Sequence, residues 1–303
     1  MRKTISLLLA LLICLSLFGC GASPESSAAA EPVSYAGSRV SYLGPEGTYT
    51  QEACGVFFGG EAACLPYETV NAAVQALADG ESDYAVIPQE NTIGGAVIDY
   101  VDTLIARTEV SVVGEVELPI SQNLLALPGA ALRDIRTVYS HRQGIAQGRE
   151  WLAQNLPEAE VVEVSSTAEG ARMVAEAGDP ACAAIASAGC AEVYGLEILA
   201  AGIQNNDRNK TRFYVLSLSA PSAGAGERLA FIASGAAEDL PALMAEIRAR
   251  RMTLVTVHDR PQKTELGYYD YLIECADGSY ERFEKLSRDS AFEFRFLGCF
   301  DVR

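Results

Sequence analysis

From Arg39 onward, short apolar runs alternate with stretches whose apolar residues recur at helical spacing. "RVSYL" reads as a strand, and "GPEGTYTQEACGVFF" as a glycine turn entering a helix. "TVNAAVQALADG" reads as a helix with a glycine stop, "DYAVIP" as a buried strand, "GGAVIDYVDTLIA" as a helix and "SVVGEVELPI" as a strand. "IRTVYS" and "AEVVEVS" are strands flanking the helix "RQGIAQGREWLAQNL". "STAEGARMVAEAG" is a helix opened by Ser or Thr, with Glu169 placed for a capping box. "ACAAIA" is a strand and "AGCAEVYG" a short helix. This alternation predicts an α/β architecture with mostly parallel strands. In such sheets ligands bind beyond the carboxyl ends of the strands, so the loops after strands are where chemistry is expected.

The pattern breaks at "SAPSAGAGE", residues 219–227, where small residues replace the apolar period. Beyond it, "RLAFIAS", "DLPALMAEIRARR", "TLVTVHD", "YYDYLIEC", "SYERFEKLSRD" and "FEFRFLGCF" follow in βαββαβ order, a ferredoxin-like unit. At the other end stands "MRKTISLLLALLICLSLFGC": Arg2 and Lys3, then an apolar run from Thr4 to Phe18. That run is shorter than the ~20 residues of a spanning helix and suits a signal segment. "LFGC" resembles a bacterial lipobox in which Cys20 takes the lipid, although Phe18 replaces the usual small residue. "GASPESSAAAEPVSYAGS" cannot build a core and reads as a tether. The expected division is a signal peptide over 1–19, a tether over 20–38, a first domain over 39–218, a linker over 219–226 and a second domain over 227–303. The expected location is outside the cytoplasm, tethered to a bacterial cell membrane.

Composition narrows the functions available. A length of 303 residues suits two domains of ~150 each, and 49% hydrophobic residues exclude a disordered chain. A formal net charge of −17 argues against a nucleic-acid binder and means that an anionic ligand needs a locally positive pocket. Setting aside Cys14 and Cys20 leaves Cys54, Cys64, Cys182, Cys190, Cys275 and Cys299, as free buried thiols or as disulfides. No CxxC or Cys/His spacing points to zinc.

Four loops carry polar clusters. Gly44-Pro45-Glu46-Gly47-Thr48 supplies a tight turn, and Thr48 can cap a helix whose N-terminus attracts anions. Pro88-Gln89-Glu90-Asn91-Thr92 sets a carboxylate, an amide and a hydroxyl at a strand end, in the cleft or as a solvated turn. Ser140-His141-Arg142-Gln143 is followed by Gln147, one helical turn on and on the same face. His141 is either a general acid or a structural hydrogen-bonder. Ser165-Ser166-Thr167 stands at a further strand-to-helix turn. "NKTRF" then offers Arg208, Lys210 and Arg212, with Arg212 able to fork onto a carboxylate and Thr211 able to present a hydroxyl. The alternative for that segment is a solvated strand face.

Taken together, these motifs resemble prephenate dehydratase: "YLGPEGTYTQEA", "VIPQENTIGGAVIDYVDTL", "VYSHRQGIAQ", "SSTAEGA" and "NKTRF", spanning about Val40 to Leu218. The resemblance implies a two-lobed catalytic domain similar to type 2 periplasmic binding proteins, followed by an ACT-like regulatory domain. It implies that Thr211 is the catalytic hydroxyl, with Glu90 and Asn91 beside it. Ser140, Gln147, Thr167, Thr48, Thr92 and Phe213 are expected to line the substrate pocket, with Arg212 on a substrate carboxylate. The implied reaction turns prephenate into phenylpyruvate, carbon dioxide and water, a lyase step of phenylalanine biosynthesis needing no metal or other cofactor. A homodimer or tetramer is implied as well.

Three departures qualify that picture. "SHP" of the family is Ser140-His141-Arg142 here, which places Arg142 at the pocket mouth. The family's "GAL" is Pro241-Ala242-Leu243, and its "ESRP" is His258-Asp259-Arg260-Pro261. Both motifs belong to phenylalanine binding, so weak feedback is expected at Leu243, Asp259, Arg260 and Pro261. The third departure is the exported N-terminus, since family members usually work in the cytoplasm. Arogenate remains open as an alternative substrate. So does a lipid-anchored binding protein for prephenate or a related aromatic acid, without turnover.

Overall fold

A computed structural model describes residues 34–303; the expected signal segment, Cys20 and most of the tether lie outside them. The first lobe opens with β1 (Arg39–Leu43), α1 (Tyr49–Phe58), β2 (Ala63–Tyr67) and α2 (Val70–Ala78). It continues with β3 (Tyr84–Asn91), β4 (Gly95–Ala96), α3 (Ile98–Ala106) and β5 (Ser111–Pro119). The chain then crosses to a second lobe of β6 (Asn123–Ala126), β7 (Thr137–Ser140), α4 (Arg142–Asn155), β8 (Glu160–Glu163), α5 (Thr167–Ala177), β9 (Cys182–Ala186), α6 (Gly189–Tyr194) and β10 (Glu197–Ala200). It returns to the first lobe as β11 (Lys210–Ser217).

The first sheet runs β2-β1-β3-β11-β5, with β4 on β3, and the second β10-β6-β9-β7-β8. The sheets are mixed, which corrects the expectation of mostly parallel strands. β1 pairs with β2 and β3 in parallel, but β11 runs antiparallel to both β3 and β5, and β6 antiparallel to both β9 and β10. The strands that carry the chain into and out of the second lobe are the ones that reverse. The two crossing segments bond to each other, Ile120 N donating to Asn209 O at 2.9 Å and Ile203 N to Gln122 O at 2.8 Å.

Alternation along the central strands sorts the first lobe's core. Val86, Phe213 and Val215 pack toward α1 with Tyr42, Phe57 and Phe58. Ile87, Tyr214 and Leu216 pack the other way, with Tyr100 of α3 and with Ala230, Ile232 and Leu272 from the C-terminal domain. Burying each large apolar side chain here contributes roughly 1.5–3 kcal/mol.

That domain comprises β12 (Arg228–Ala236), α7 (Leu240–Ala249), β13 (Thr253–Pro261), β14 (Tyr268–Ala276), α8 (Tyr280–Asp289) and β15 (Glu293–Phe300). Its antiparallel sheet runs β13-β14-β12-β15, a ferredoxin-like order. One face closes on its own helices through Phe231, Leu243, Ile247, Ile273 and Phe283. The other face lies on the first lobe. Past β15 the chain runs along β5: Glu115 N donates to Asp301 O at 3.1 Å and Arg303 N to Glu115 O at 2.9 Å.

Candidate functional site

A cavity of about 270 Å³ lies between the two lobes. The N-cap residues of four helices reach its wall: Thr48 of α1, Val97 of α3, His141 of α4 and Ser166 of α5. Helix N-termini present unpaired N–H groups and the positive end of the helix dipole. Among the described residues, no Lys, Arg, Asp or Glu lines the cavity. The groups there that can attract an anion are therefore backbone N–H groups and neutral polar side chains rather than side-chain cations, in a chain that is otherwise acidic.

The caps differ in a way that bears on this. Ser166 Oγ accepts from Glu169 N at 2.9 Å, an ordinary cap. The reciprocal half of the expected capping box does not form, because Glu169 forks onto Arg172. Thr48 occupies the cap position of α1 but makes no cap bond; its hydroxyl donates to Leu43 O at 3.3 Å. That corrects the expectation of a capping threonine and leaves the first N–H groups of α1 without a side-chain acceptor. His141 Nδ1 accepts from Gln143 N at 3.3 Å, so in the neutral ring the proton sits on Nε2.

Asn91 and Thr211 stand opposite each other on β3 and β11 and both line the cavity. Asn91 Oδ1 accepts from Ile93 N at 3.0 Å and Gly94 N at 2.8 Å. Its Nδ2 therefore faces the other way, donating to Asn209 Oδ1 at 2.8 Å and to Thr211 Oγ1 at 2.9 Å. Thr211 Oγ1 thus serves as an acceptor inside the protein, and its own proton is left for a group in the cleft. Phe213, Gln147 and Thr167 also line the cavity, as do Gln143, Ser165 and Ser166.

Five of the residues singled out from the sequence sit elsewhere. Arg212 and Glu90 project from the opposite face of the sheet, where Arg212 Nη1 and Nη2 each lie 3.2 Å from Glu274 and its Nε 3.8 Å from Glu90. Arg212 is therefore already paired and does not reach the cleft, and Glu90 is not beside the Thr211 hydroxyl. Simple alternation between Thr211 and Phe213 sends Arg212 to that face; for Glu90 the cause is a bulge, since Arg212 pairs with Glu90 but Phe213 pairs with Pro88, so Gln89 is an extra residue on β3. Pro88 and Asn91 face the cleft, while Gln89 and Glu90 face away. Ser140 is fully buried behind the wall, donating to Ile185 O at 2.7 Å. Thr92 is exposed and clips β3 to β11 through Lys210 N and O, each at 2.9 Å. Arg142 is exposed on α4 and is absent from the wall.

Tyr49 and Gln122 are among the lining residues that the sequence reading did not single out. The Tyr49 hydroxyl donates to Ser121 O at 2.7 Å, and burial pushes its phenol well above the usual range, so it stays neutral. Gln122, on a crossing segment, donates to Gln147 Oε1 at 2.9 Å while its own buried side-chain oxygen Oε1 has no hydrogen-bond partner. Neither residue belongs to a cluster; only their position between the lobes marks them.

Of the residues expected to serve regulation, Leu243 is buried in the C-terminal domain's core and Asp259 is exposed. Arg260 forks onto Asp102 of α3, and Pro261 ends β13. All six cysteines among the described residues are free thiols.

Residues 40–221 match the family model for prephenate dehydratase. The chain is 36% identical over 237 residues to a bifunctional chorismate mutase/prephenate dehydratase of Neisseria gonorrhoeae. That match covers 78% of this chain and 65% of that protein. Among solved structures it is similar to the prephenate dehydratase of Arthrobacter aurescens in complex with L-Phe, at 30% identity and a TM-score of 0.78, covering 87% and 90% of the two chains. It is also similar to GqqA, described as a novel type of quorum-quenching acylase, at 25% identity and a TM-score of 0.78, covering 88% and 98%.

Proposed function

This chain belongs to the prephenate dehydratase family, and we propose that its interlobe cleft converts prephenate to phenylpyruvate, carbon dioxide and water. The observation that carries this reading is the Thr211 hydroxyl, fixed as acceptor from Asn91 and therefore free to donate into the cleft. In the reaction, the bond from the ring to its carboxylate breaks and its electron pair enters the ring. The ring's carbon–oxygen bond breaks as aromaticity forms. The departing oxygen takes up one proton, drawn ultimately from solvent, and leaves as water. Aromatisation supplies the driving force, so the protein must hold two carboxylates, orient the ring and stabilise the departing oxygen.

The cleft has the parts for this. Helix N-termini face the anionic groups. Phe213 and Val97 offer apolar surface to the ring, and Thr211 donates to the leaving oxygen. An alcohol is too weak an acid to release its proton freely, so Thr211 acts as a positioned donor. Prephenate is favoured over arogenate on electrostatic grounds. The ammonium of arogenate would meet four helix N-termini and no lining carboxylate.

The C-terminal ferredoxin-like domain is proposed to be an ACT-like regulatory domain, with assembly into a homodimer or tetramer. Apolar exposure on its edge strand β13, at Leu254 and Val257, supports assembly. The protein is further proposed to be an exported lipoprotein held at a bacterial membrane through Cys20, on the strength of "LFGC" and the core-less tether behind it. Cys20→Ala should release the protein from the membrane fraction or leave an uncleaved precursor. Processing and retention like wild type would refute the anchor.

The catalytic reading is tested with Thr211→Val, which keeps the β-branched shape. Losing one such donor costs about 3 kcal/mol of transition-state stabilisation, so kcat should fall by roughly a hundredfold or more with KM little changed. Phenylpyruvate formation is followed by absorbance, with circular dichroism as the folding control. A wild-type protein that binds prephenate but releases no phenylpyruvate would instead support a binding protein.

A further inference from the structure

Behind the cleft, on the far face of β3 and β11, a single carboxylate from the other domain gathers the catalytic strands. Glu274 on β14 is fully buried. It lies within the apolar interface between the C-terminal sheet and the first lobe, next to Leu272, which packs with Ile87, Tyr100 and Tyr214. A carboxylate in such a place is costly unless its oxygens are occupied. They are: Gln89 Nε2 donates at 2.8 Å, the Arg212 fork closes at 3.2 Å from each nitrogen, and the Tyr214 hydroxyl donates as well. Arg228 Nε of β12 stands 3.4 Å away.

Three of these partners sit on the strands that bear the chemistry. Gln89 is the extra residue of the bulge, and the bulge is what turns Asn91 toward the cleft. Arg212 lies between Thr211 and Phe213, both of which line the cavity. A bulged residue has no ladder partner to hold it. The main-chain oxygen of Gln89 accepts from Val97 N at 2.9 Å, but its side-chain amide oxygen has no partner, so the bond to Glu274 is the polar contact that pins its side chain. Without Glu274, Arg212 retains Glu115 at 3.5 Å and Glu90 at 3.8 Å, neither of which hydrogen-bonds the Gln89 side chain.

We propose that Glu274 is a positioning residue for the reaction: from the C-terminal domain it locks the Gln89 bulge and the roll of β11, and so sets the Asn91–Thr211 pair at the cleft. This rests on the reading of Thr211 as the catalytic hydroxyl. The cleft is then complete only with β14 in place, although no residue of the C-terminal domain lines it.

The test is a coupling experiment in the full chain. Glu274→Gln keeps the volume and removes the charge that holds the fork. The expected result is a fall in kcat of about tenfold or more with KM within about threefold, and with the circular dichroism spectrum retained. In a Thr211→Val background the same change should alter kcat by less than about twofold, because the group being positioned is gone. Equal losses in both backgrounds would show a general structural role and overturn the proposal, as would wild-type turnover by Glu274→Gln. If Glu274→Gln does not fold, Gln89→Leu removes one tie while leaving the charges paired, and the same comparison decides. Thr211→Val alone separates the two ideas. Full activity in that variant removes the reading underneath and the proposal with it; collapse of its activity without any effect of Glu274→Gln or Gln89→Leu removes the proposal alone.

Discussion

Arg212 is held on the far side of β11 by the carboxylate of Glu274. Its neighbour Thr211 faces the cleft, and a strand sends successive side chains to opposite faces. The strand period, counted from Thr211, sends Arg212 away from the cleft. Glu90 was harder to read, because the bulge at Gln89 depends on which strand pairs with β3, and nothing local encodes that. On the same buried side lies Glu115 of β5, fully enclosed, with neither carboxylate oxygen hydrogen-bonded. Burial first, and the charge of Glu274 next, push its carboxyl up to about 8 from an ordinary 4.5, against the opposing pull of Arg212 and Arg228. Glu117, on the same strand, adds to the rise. Between those two pH values the folded protein holds a proton that the unfolded chain has lost. This group's contribution to stability is therefore complete below about pH 4.5 and lost as pH rises through about 8. Glu115→Gln should flatten the decline of the melting temperature from mildly acidic to mildly alkaline pH and melt above wild type at the alkaline end. Parallel melting curves of wild type and variant across that range, followed by circular dichroism, would contradict this.

At the scale of elements, helices were more legible than strands. α5 announced itself by Ser166 and by its apolar spacing, and α8 by Ser279 and a strong amphipathic period. β2, β6 and β10 were not recognised, since each is short and β2 contains Pro66. Such runs become strands because a neighbouring strand offers them a ladder, which is information from elsewhere in the chain. β3 extends through the polar residues to Asn91 instead of stopping at Pro88, because β11 pairs with it over that length. The N-terminus of α4 shows how one residue fixes an element in the cleft wall. A Cβ on Gly144 would meet Ser140 Oγ at 2.5 Å and Thr167 Cγ2 at 3.0 Å. Ser140 cannot yield easily, since its hydroxyl is buried and bonded to Ile185 O. Gly144→Ala should therefore push α4 outward, displacing His141 and Gln143 from the wall. We expect a stability loss of about 1–3 kcal/mol and a rise in KM for prephenate. Unchanged melting and unchanged KM would show that the wall has room to spare.

On the scale of the whole molecule, the contacts that bind the C-terminal domain to the first lobe include the apolar interface around Leu272, the Glu274 cluster, the pairing of residues 301–303 with β5, and the bonds of Arg260 and Arg295 to α3 and its C-terminal end. The ferredoxin-like order was legible because six elements follow one another with clear periods. Its docking was not, because Glu274 looks like any strand carboxylate until β3 and β11 are laid against it. Docking also changes what the residues expected to serve regulation can do. Arg260 stands where the family's effector motif is expected, yet its guanidinium is committed to Asp102 on α3, the helix whose N-cap Val97 lines the cleft. Leu243 is buried in the domain core, and the glutamate and serine of the family's motif are His258 and Asp259. Burial holds His258 below the usual histidine range, so near neutral pH it offers an effector no positive charge. An amino-acid effector needs an acceptor for its ammonium and donors for its carboxylate. Asp259 supplies the first, but Arg260 would have to leave Asp102 to supply the second. We expect calorimetric titration with L-phenylalanine to give no binding in the micromolar range, the range that corresponds to about −8 kcal/mol. In Asp102→Ala, which frees Arg260, binding should strengthen. Micromolar binding by the wild type, or no change in the variant, would show that the Arg260–Asp102 pair does not stand between this domain and its effector.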